Sequence, residues 1–377
     1  MMRDSFRGWK PDRRSFLSGS GGIVLAAILD RSAVMRGQSN ATGKSQGPAV
    51  VQKVIIDTDP GVDDAFALLL AMRSPELRIE AITAVAGNGP LSLTLPNALR
   101  MVEVADRTDI PVAGGASSPL IRRLWVGSGE IHGKNGLGGA EFPVPRTQPV
   151  KEPAADLICR VVRENPGEIA IIGIGPLTNV ALALRQDPQI ANLIPKIVLM
   201  GGALKGGNAT PSAEFNFWAD PEAASIVFDS GIPITMVGLD VTMKVELTPN
   251  YIQQLEAGRG KVCVAAAQIA RKLTELYQSQ GRVTGKHMHD PLAVAALIRP
   301  EIVDLEDYHV EIETAGNITA GESVGWKTGP LSYSEPLQTI TADGQPIVAP
   351  FHVNTKVATS VYPERFFDLF IDRITKG

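Results

Sequence analysis

Four aspartates, Asp57, Asp59, Asp63 and Asp64, fall within the eight residues Asp57-Thr58-Asp59-Pro60-Gly61-Val62-Asp63-Asp64. Carboxylates bunched this closely repel one another, and a cation relieves the repulsion. The competing explanation is helix capping, since acids at a helix N-terminus accept its free N–H groups and face the positive end of its dipole. Capping accounts for Asp63 and Asp64, which open the apolar run to Met72, but not for Asp57 and Asp59 as well. An all-oxygen donor set suits a hard divalent cation, Ca2+ or Mg2+.

Two familiar acidic loops fail on spacing. An EF-hand would need Asp or Asn at Gly61, Gly at Val62 and Glu at Leu68. The DxDx(T/V) loop of haloacid-dehalogenase phosphatases needs Thr or Val where Gly61 stands. A second segment, Gly173-Ile174-Gly175-Pro176-Leu177-Thr178, follows an apolar run and opens a helix, as a dinucleotide-binding turn would. Thr178 replaces its third glycine and Pro176 removes an N–H that a pyrophosphate would use, so that reading is set aside. Asn88, Asn208, Glu214 and Asn216 supply donors and acceptors suited to a polyol, although a single Asn is more often a turn residue.

These residues need a scaffold. Val51 to Ile56, Leu77 to Val85, Ile169 to Ile174, Ile197 to Met200 and Ile234 to Val237 read as strands. Asp64 to Met72, Leu95 to Ala105, Asn179 to Leu184, Pro221 to Asp229 and Val262 to Gln278 read as helices between and after them. The run Ile169 to Ile174 shows no polar alternation, as expected of a strand covered on both faces. The series predicts an α/β fold, an open, mainly parallel (mixed) sheet flanked by helices, with residues 50–377 as one domain. Ligands in such sheets sit beyond the carboxyl ends of the strands, where the acidic loop and the Gly-rich turn both fall.

The chain has 377 residues and a net charge of −4 from 36 basic and 40 acidic side chains. No basic excess points to nucleic acid, and a small polar substrate fits better. Cys159 and Cys263 read as two buried thiols, with a disulfide left open. At the N-terminus, Asp12-Arg13-Arg14-Ser15-Phe16-Leu17 resembles a twin-arginine export signal. The weakly apolar stretch Leu17 to Leu29 is shorter than the roughly 20 residues a membrane span needs. Ser39-Asn40-Ala41 places small residues for a signal peptidase, which makes residues 1–41 the signal and 42–49 a polar linker. Export to the periplasm or another extracytoplasmic space is expected, with no stable membrane association afterwards.

Asp57 to Ala65 is similar to the DTDPGxDDA signature of the inosine–uridine-preferring nucleoside hydrolase family. Further matches follow in family order: Ala86-Gly87-Asn88, His132-Gly133, Gly175 to Asn179, Met200-Gly201-Gly202, Asn208, Glu214-Phe215-Asn216 and His289-Asp290-Pro291. The resemblance spans residues 51 to 375. It implies the nucleoside hydrolase fold and a calcium-dependent cleavage of the N-glycosidic bond of ribonucleosides to ribose and free nucleobase. By the same resemblance Asp59 is general base and calcium ligand, and Asp64, the Thr178 carbonyl and Asp290 are further ligands. Asp63 is implied on the ribose hydroxyls, with Asn88, Asn208, Glu214 and Asn216 gripping the sugar and Met200 and Phe215 packed against it. His289 is implied as proton donor to the leaving base, and His132 as a second histidine near it. Tyr277 is a base-stacking aromatic in that scheme, or else a half-buried helix aromatic. The loop Ser279 to Met288 is expected to fold over substrate, and a homo-oligomer, dimer or tetramer, is the expected state.

Two departures bear on substrate choice. The GLDG-like segment reads Gly136-Leu137-Gly138-Gly139 and loses its acid, and Met243 follows Asp240-Val241-Thr242 where many members carry His. Two other functions are to be weighed: a non-catalytic, calcium-dependent nucleoside- or pentose-binding protein, and an N-ribohydrolase for a non-standard nucleoside. Retention of both Asp59 and His289 speaks against the binder, which needs neither base nor acid.

Overall fold

A computed structural model describes residues 51–125, 129–282, 286–327 and 353–376, and the backbone of 339–340 and 346–347. The twin-arginine segment, the cleavage site after Ala41 and the linker lie outside the described residues, as do residues 283–285 of the loop expected over substrate.

The strands are β1 (Gln52–Thr58), β2 (Leu77–Ala84), β3 (Val112–Gly114), β4 (Ile169–Gly173), β5 (Ile197–Met200), β6 (Ile234–Val237), β7 (Val303–Ile312), β8 (Ser323–Lys327), a short pair β9 (Thr339–Ile340) and β10 (Pro346–Ile347), and β11 (Thr355–Val361). One nine-stranded sheet runs β3-β2-β1-β4-β5-β6-β11-β7-β8. Pairing is parallel from β3 through β11, and β7 and β8 join antiparallel. The chain builds outward from β1 through β2 to β3, then returns to β1's other side for β4, β5 and β6. That reversal leaves a crevice at the carboxyl ends of β1 and β4, the position where open α/β sheets bind ligands.

The helices are α1 (Val62–Met72), α2 (Leu91–Val104), α3 (Ala154–Glu164), α4 (Thr178–Gln186), α5 (Phe215–Ala219), α6 (Pro221–Phe228), α7 (Leu239–Thr242), α8 (Pro249–Ala257), α9 (Lys261–Ser279), α10 (His289–Ile298) and α11 (Pro363–Lys376). Alternate strand residues feed two cores: Val54 and Ile56 pack with α1, α9, α10 and α11, while Ile55 packs with α3, α4 and α6 on the opposite face. A strand buried on both faces has no use for polar alternation, and Ile169 to Ile172 are fully buried. Helix α1 is buried along nearly its whole circumference, as an all-apolar helix must be. Its only half-buried residue is Asp63, at the end that faces the crevice. Cys159 belongs to one core and Cys263 to the other, so the sheet separates them and both are free buried thiols.

The expected α/β architecture holds, with two differences. Helix α2 begins at Leu91, before the expected Leu95, and carries Pro96 inside it. Pro96 lies in its second turn, where it cannot donate to the Ser92 carbonyl. The strand series read from the sequence ends at Val237, whereas β11, β7 and β8 extend the sheet beyond it. No helix among the described residues is long and apolar enough to cross a membrane.

Candidate active site

The acidic loop leaves β1 at Thr58 and enters α1 at Val62, which places it in the crevice. Asp64 caps α1: its Oδ2 accepts from the backbone N of Gly61 at 2.9 Å and from Asn88 Nδ2 at 3.0 Å. Its Oδ1 accepts from Thr58 Oγ1 at 2.6 Å and from the backbone N of Asp59 at 3.1 Å. Asp57 turns inward, where Thr83 Oγ1 at 2.5 Å and Asn179 Nδ2 at 2.8 Å donate to it. Asp59 accepts the backbone N–H of Asn88 on Oδ2 at 2.5 Å, while its buried Oδ1 has no partner, nor has Asp63 Oδ1. Two glycines make room for Asp59: an added Cβ would stand 2.1 Å from its Oδ2 at Gly87 and 2.7 Å from its Oδ1 at Gly175. Capping therefore explains Asp64 and hydrogen bonding engages one oxygen of Asp57, while Asp57 Oδ2, Asp59 Oδ1 and Asp63 Oδ1 are left as spare acceptors.

Asp290, at the start of α10, joins this loop. Carboxylate oxygens of Asp63, Asp64 and Asp290 lie within 4.8 Å of one another. Burial, and then the charges of Asp63, Asp64 and Asp59, hold the Asp290 carboxyl well above the usual range. Asp59 is likewise held well above it by burial and then by Asp64. Desolvation pushes Asp63 up to about 6. Carboxylates that cannot all ionise together, with acceptor oxygens left over, form a donor set that a hard divalent cation fits. The tight trio includes Asp63 rather than Asp59, whereas the family resemblance assigned Asp59 to the metal and Asp63 to the ribose. Thr178 opens α4 with its hydroxyl donated to Asp220 Oδ2 at 2.7 Å.

Above this floor is a cavity of about 440 Å³. Asp63, Asp290 and Asn88 line it, whereas Asp59, Asp64 and Thr178 lie behind its wall. On the β5 side the lining comes from Met200, Asn208 and the start of α5. Glu214 caps α5, accepting from the backbone N of Asn216 at 2.9 Å and of Gly202 at 3.0 Å, and burial pushes it up to about 7. Asn216 Nδ2 donates to the Met200 carbonyl at 3.0 Å, and Asn208 Oδ1 accepts from the backbone N of Phe215 at 2.9 Å. These contacts tie the end of β5 to α5, so Glu214, Phe215 and Asn216 are set in place together.

The lining also carries histidines. His132 Nδ1 accepts the backbone N–H of Val62 at 3.1 Å, which leaves its proton on Nε2, and burial pushes it down to about 4. His289 Nδ1 lies 2.8 Å from Thr242 Oγ1. Burial, then His287 and His132, push His289 down to about 3, so it stands neutral at pH 7, unlike the histidine poised near neutrality that the sequence suggested. Tyr277 is only 3% exposed, and the Arg282 guanidinium sits 4.1 Å over its ring, covering a face that a base was expected to use.

Sequence reasoning missed Trp125, Trp218, Arg282, Lys286 and His287, all of which line the cavity. His287 carried a signal, since it stands two residues before His289 and their rings lie 5.5 Å apart. Arg282 and Lys286 fall in the loop expected over substrate, without being singled out, and Trp125 carried no signal. At the departure Gly138, φ is +68° and an added Cβ would lie 3.2 Å from the backbone N of Leu273, so the acid is replaced by close packing of this loop on α9.

A profile of the inosine-uridine preferring nucleoside hydrolase family matches residues 54–368. The chain belongs to that family. It is 43% identical over 272 residues, 72% of this chain and 87% of the relative, to the pyrimidine-specific ribonucleoside hydrolase RihA of Salmonella enteritidis. Among solved structures it resembles the plant nucleoside hydrolase PpNRh1 (TM-score 0.78, 32% identity, 87% of this chain and 100% of that one). A purine-preferring ribonucleoside hydrolase from Gardnerella vaginalis is similar at TM-score 0.76 and 32% identity, over 86% of this chain and 98% of that one. The enzyme is a ribonucleoside hydrolase that acts on N-glycosidic bonds.

Proposed function

We propose that this ribonucleoside hydrolase works with a divalent cation, calcium, at the cavity floor, and that Asp59 is its general base. The observation that carries the reading is the convergence of Asp63, Asp64 and Asp290 carboxylate oxygens within 4.8 Å. Asp64, Asp290, Asp59 and the Thr178 carbonyl would hold the cation, with Asp63 beside it. Calcium there would add positive charge among the carboxylates, lower the pKa of a water and offer sites to sugar hydroxyls. Asp59 Oδ1, buried and without a donor, is the atom that takes the proton from the attacking water. Asp63 Oδ1, equally without a donor, accepts from a ribose hydroxyl. Asn88, Asn208, Glu214 and Asn216 hold the rest of the sugar, with Met200 and Phe215 against it. As the C1′–N bond breaks, the buried carboxylates stabilise positive charge on the ribose. His289, with Nδ1 engaged by Thr242, points its other ring nitrogen to the base end, with His132 and Tyr277.

The test is base release from a panel of ribonucleosides and 2′-deoxynucleosides, with and without chelator. Release from ribonucleosides should vanish with chelator, return with calcium and be much slower for the deoxy series. Equal rates on both series, or full activity under chelation, would overturn the reading. The panel also reads the base preference, on which the named relatives differ: one is pyrimidine-specific and another purine-preferring.

We also propose that residues 1–41 direct export by the twin-arginine route, and that the exported enzyme is a dimer or tetramer. Replacing Arg13 and Arg14 with Lys should strand active enzyme in the cytoplasm, and unchanged export would refute the route. Sedimentation of the purified protein tests the assembly, and a monomer would refute it.

A further inference from the structure

We infer that Arg282, which lines the cavity, is a catalytic residue whose guanidinium meets the departing nucleobase. This assignment rests on the ribonucleoside reading above and deepens it. When the C1′–N bond breaks, the bonding pair goes to the base nitrogen. The water oxygen bonds to C1′, its proton passes to Asp59, and the base is left with negative charge until it gains a proton from solvent. Positive charge on the sugar and negative charge on the base therefore develop together. Stabilising the second needs donors aimed at the base.

The cavity offers side chains of both signs for these two charges. Its carboxylates are Asp63 and Asp290 at the floor and Glu214 beside α5, with Glu130 on the loop before His132. Its lysine and arginine side chains among the described residues are Arg282 and Lys286, both from the segment between α9 and α10 that also carries His287. Arg282 is held at two points on one rigid support. Its backbone N donates to the Tyr277 carbonyl at 2.8 Å, and its guanidinium lies 4.1 Å over the Tyr277 ring. Tyr277 itself is packed into the main core. A cation stacked on a buried ring is preorganised, and little rotamer freedom remains to be lost in the transition state.

The chemistry of the side chain fits the role. A guanidinium stays charged across any practical assay pH and presents a planar fork of donors, which matches the keto oxygens and ring nitrogens of pyrimidines and purines alike. His289, with its Nδ1 engaged by Thr242, has one ring nitrogen to offer the base, whereas a guanidinium offers a fork of donors. Tyr277 thus supports the cation that reaches the base.

The experiment compares wild type, Arg282→Ala and Arg282→Lys in the full-length, calcium-supplemented enzyme. Substrates are uridine, inosine and p-nitrophenyl riboside, whose leaving group is already a stable anion. Arg282→Ala should lower kcat on the nucleosides by about 100- to 1,000-fold, the usual effect of removing one donor from a developing anion. The loss on p-nitrophenyl riboside should be at least about tenfold smaller, so that the rate depends more steeply on leaving-group pKa. Arg282→Lys should recover part of the nucleoside rate. Equal losses on both substrate classes, or a loss below about threefold on the nucleosides, would overturn the assignment while leaving the ribonucleoside reading intact. A wild-type enzyme inert toward every nucleoside would overturn that reading and the assignment with it.

Discussion

The acidic loop under the cavity and the segments that wall its mouth differ in what holds them. Asp57 and Asp64 are fully buried and receive donors from β2, α4, their own loop and Asn88. Asp59 is confined by two glycines whose Cβ atoms would collide with it. The mouth is built otherwise. Trp125 is 52% exposed, and its ring packs edge-on against Trp218 at 5.5 Å and Phe215 at 6.1 Å. The floor is preorganised from many directions, so changes there should strike the chemical step on every substrate. The mouth depends on a few aromatic contacts, so changes there should alter which substrate is accepted.

The sharpest test of the floor is Asp59→Asn, which keeps the shape and removes the base. We expect kcat to fall by about 1,000-fold or more on nucleosides and on p-nitrophenyl riboside alike. Near-wild-type turnover would show that another group takes the proton.

A second test concerns stability at the boundary of floor and mouth. Burial raises Glu214 from 4.5 to about 7. The folded chain keeps this proton to a higher pH than the unfolded chain. Its contribution to stability is therefore full below pH 4.5 and is lost as pH rises through about 7, a penalty of at most about 3 kcal/mol. Tm measured without added cation should fall from pH 5 to pH 8, and Glu214→Gln should flatten part of that fall. An unaltered Tm–pH curve in the variant would place the raised proton elsewhere.

Gly87→Ala probes the confinement of Asp59 without touching its chemistry. The added Cβ would lie 2.1 Å from Asp59 Oδ2, so the carboxylate must move. A displacement near 1 Å should cost kcat about 100-fold on all substrates, with the fold retained in circular dichroism. A loss confined to one nucleobase would mean that the floor, too, discriminates. The smallest effect is expected at the mouth. Trp125→Ala should raise KM by several-fold, about 1 kcal/mol, and unequally across the nucleoside panel, because one partner of an exposed aromatic cluster is removed. A uniform loss in kcat instead would make Trp125 part of the floor's machinery.

Much of the floor was legible because its residues are contiguous. Asp57 to Asp64 sit at one strand–helix junction, and local backbone geometry alone puts them in the crevice once β1 is recognised. Asn208, Glu214 and Asn216 were legible for the same reason, being gathered around the start of α5. The ionisation of His289 was not legible, since it depends on burial and on His287 and His132, which the chain delivers from different segments. Nor was the split among the four aspartates, in which Asp64 caps a helix, Asp57 is tied to Thr83 and Asn179 through one oxygen, and Asp57, Asp59 and Asp63 each keep a free oxygen.

The sequence by itself determined the α/β architecture, the family and the acidic centre, because each is written in short-range patterns: unbroken apolar strands, helix-opening acids and motifs whose residues are neighbours in the chain. Only the tertiary structure decided that Asp63 rather than Asp59 stands with Asp64 and Asp290 in the carboxylate trio, that Arg282 covers Tyr277, and that Trp125 meets Trp218 and Phe215. The carboxylate trio and the tryptophan contacts join segments distant in sequence, and their geometry depends on the sheet order that brings loop ends to one crevice. Periodicity and motif spacing carry no record of that order.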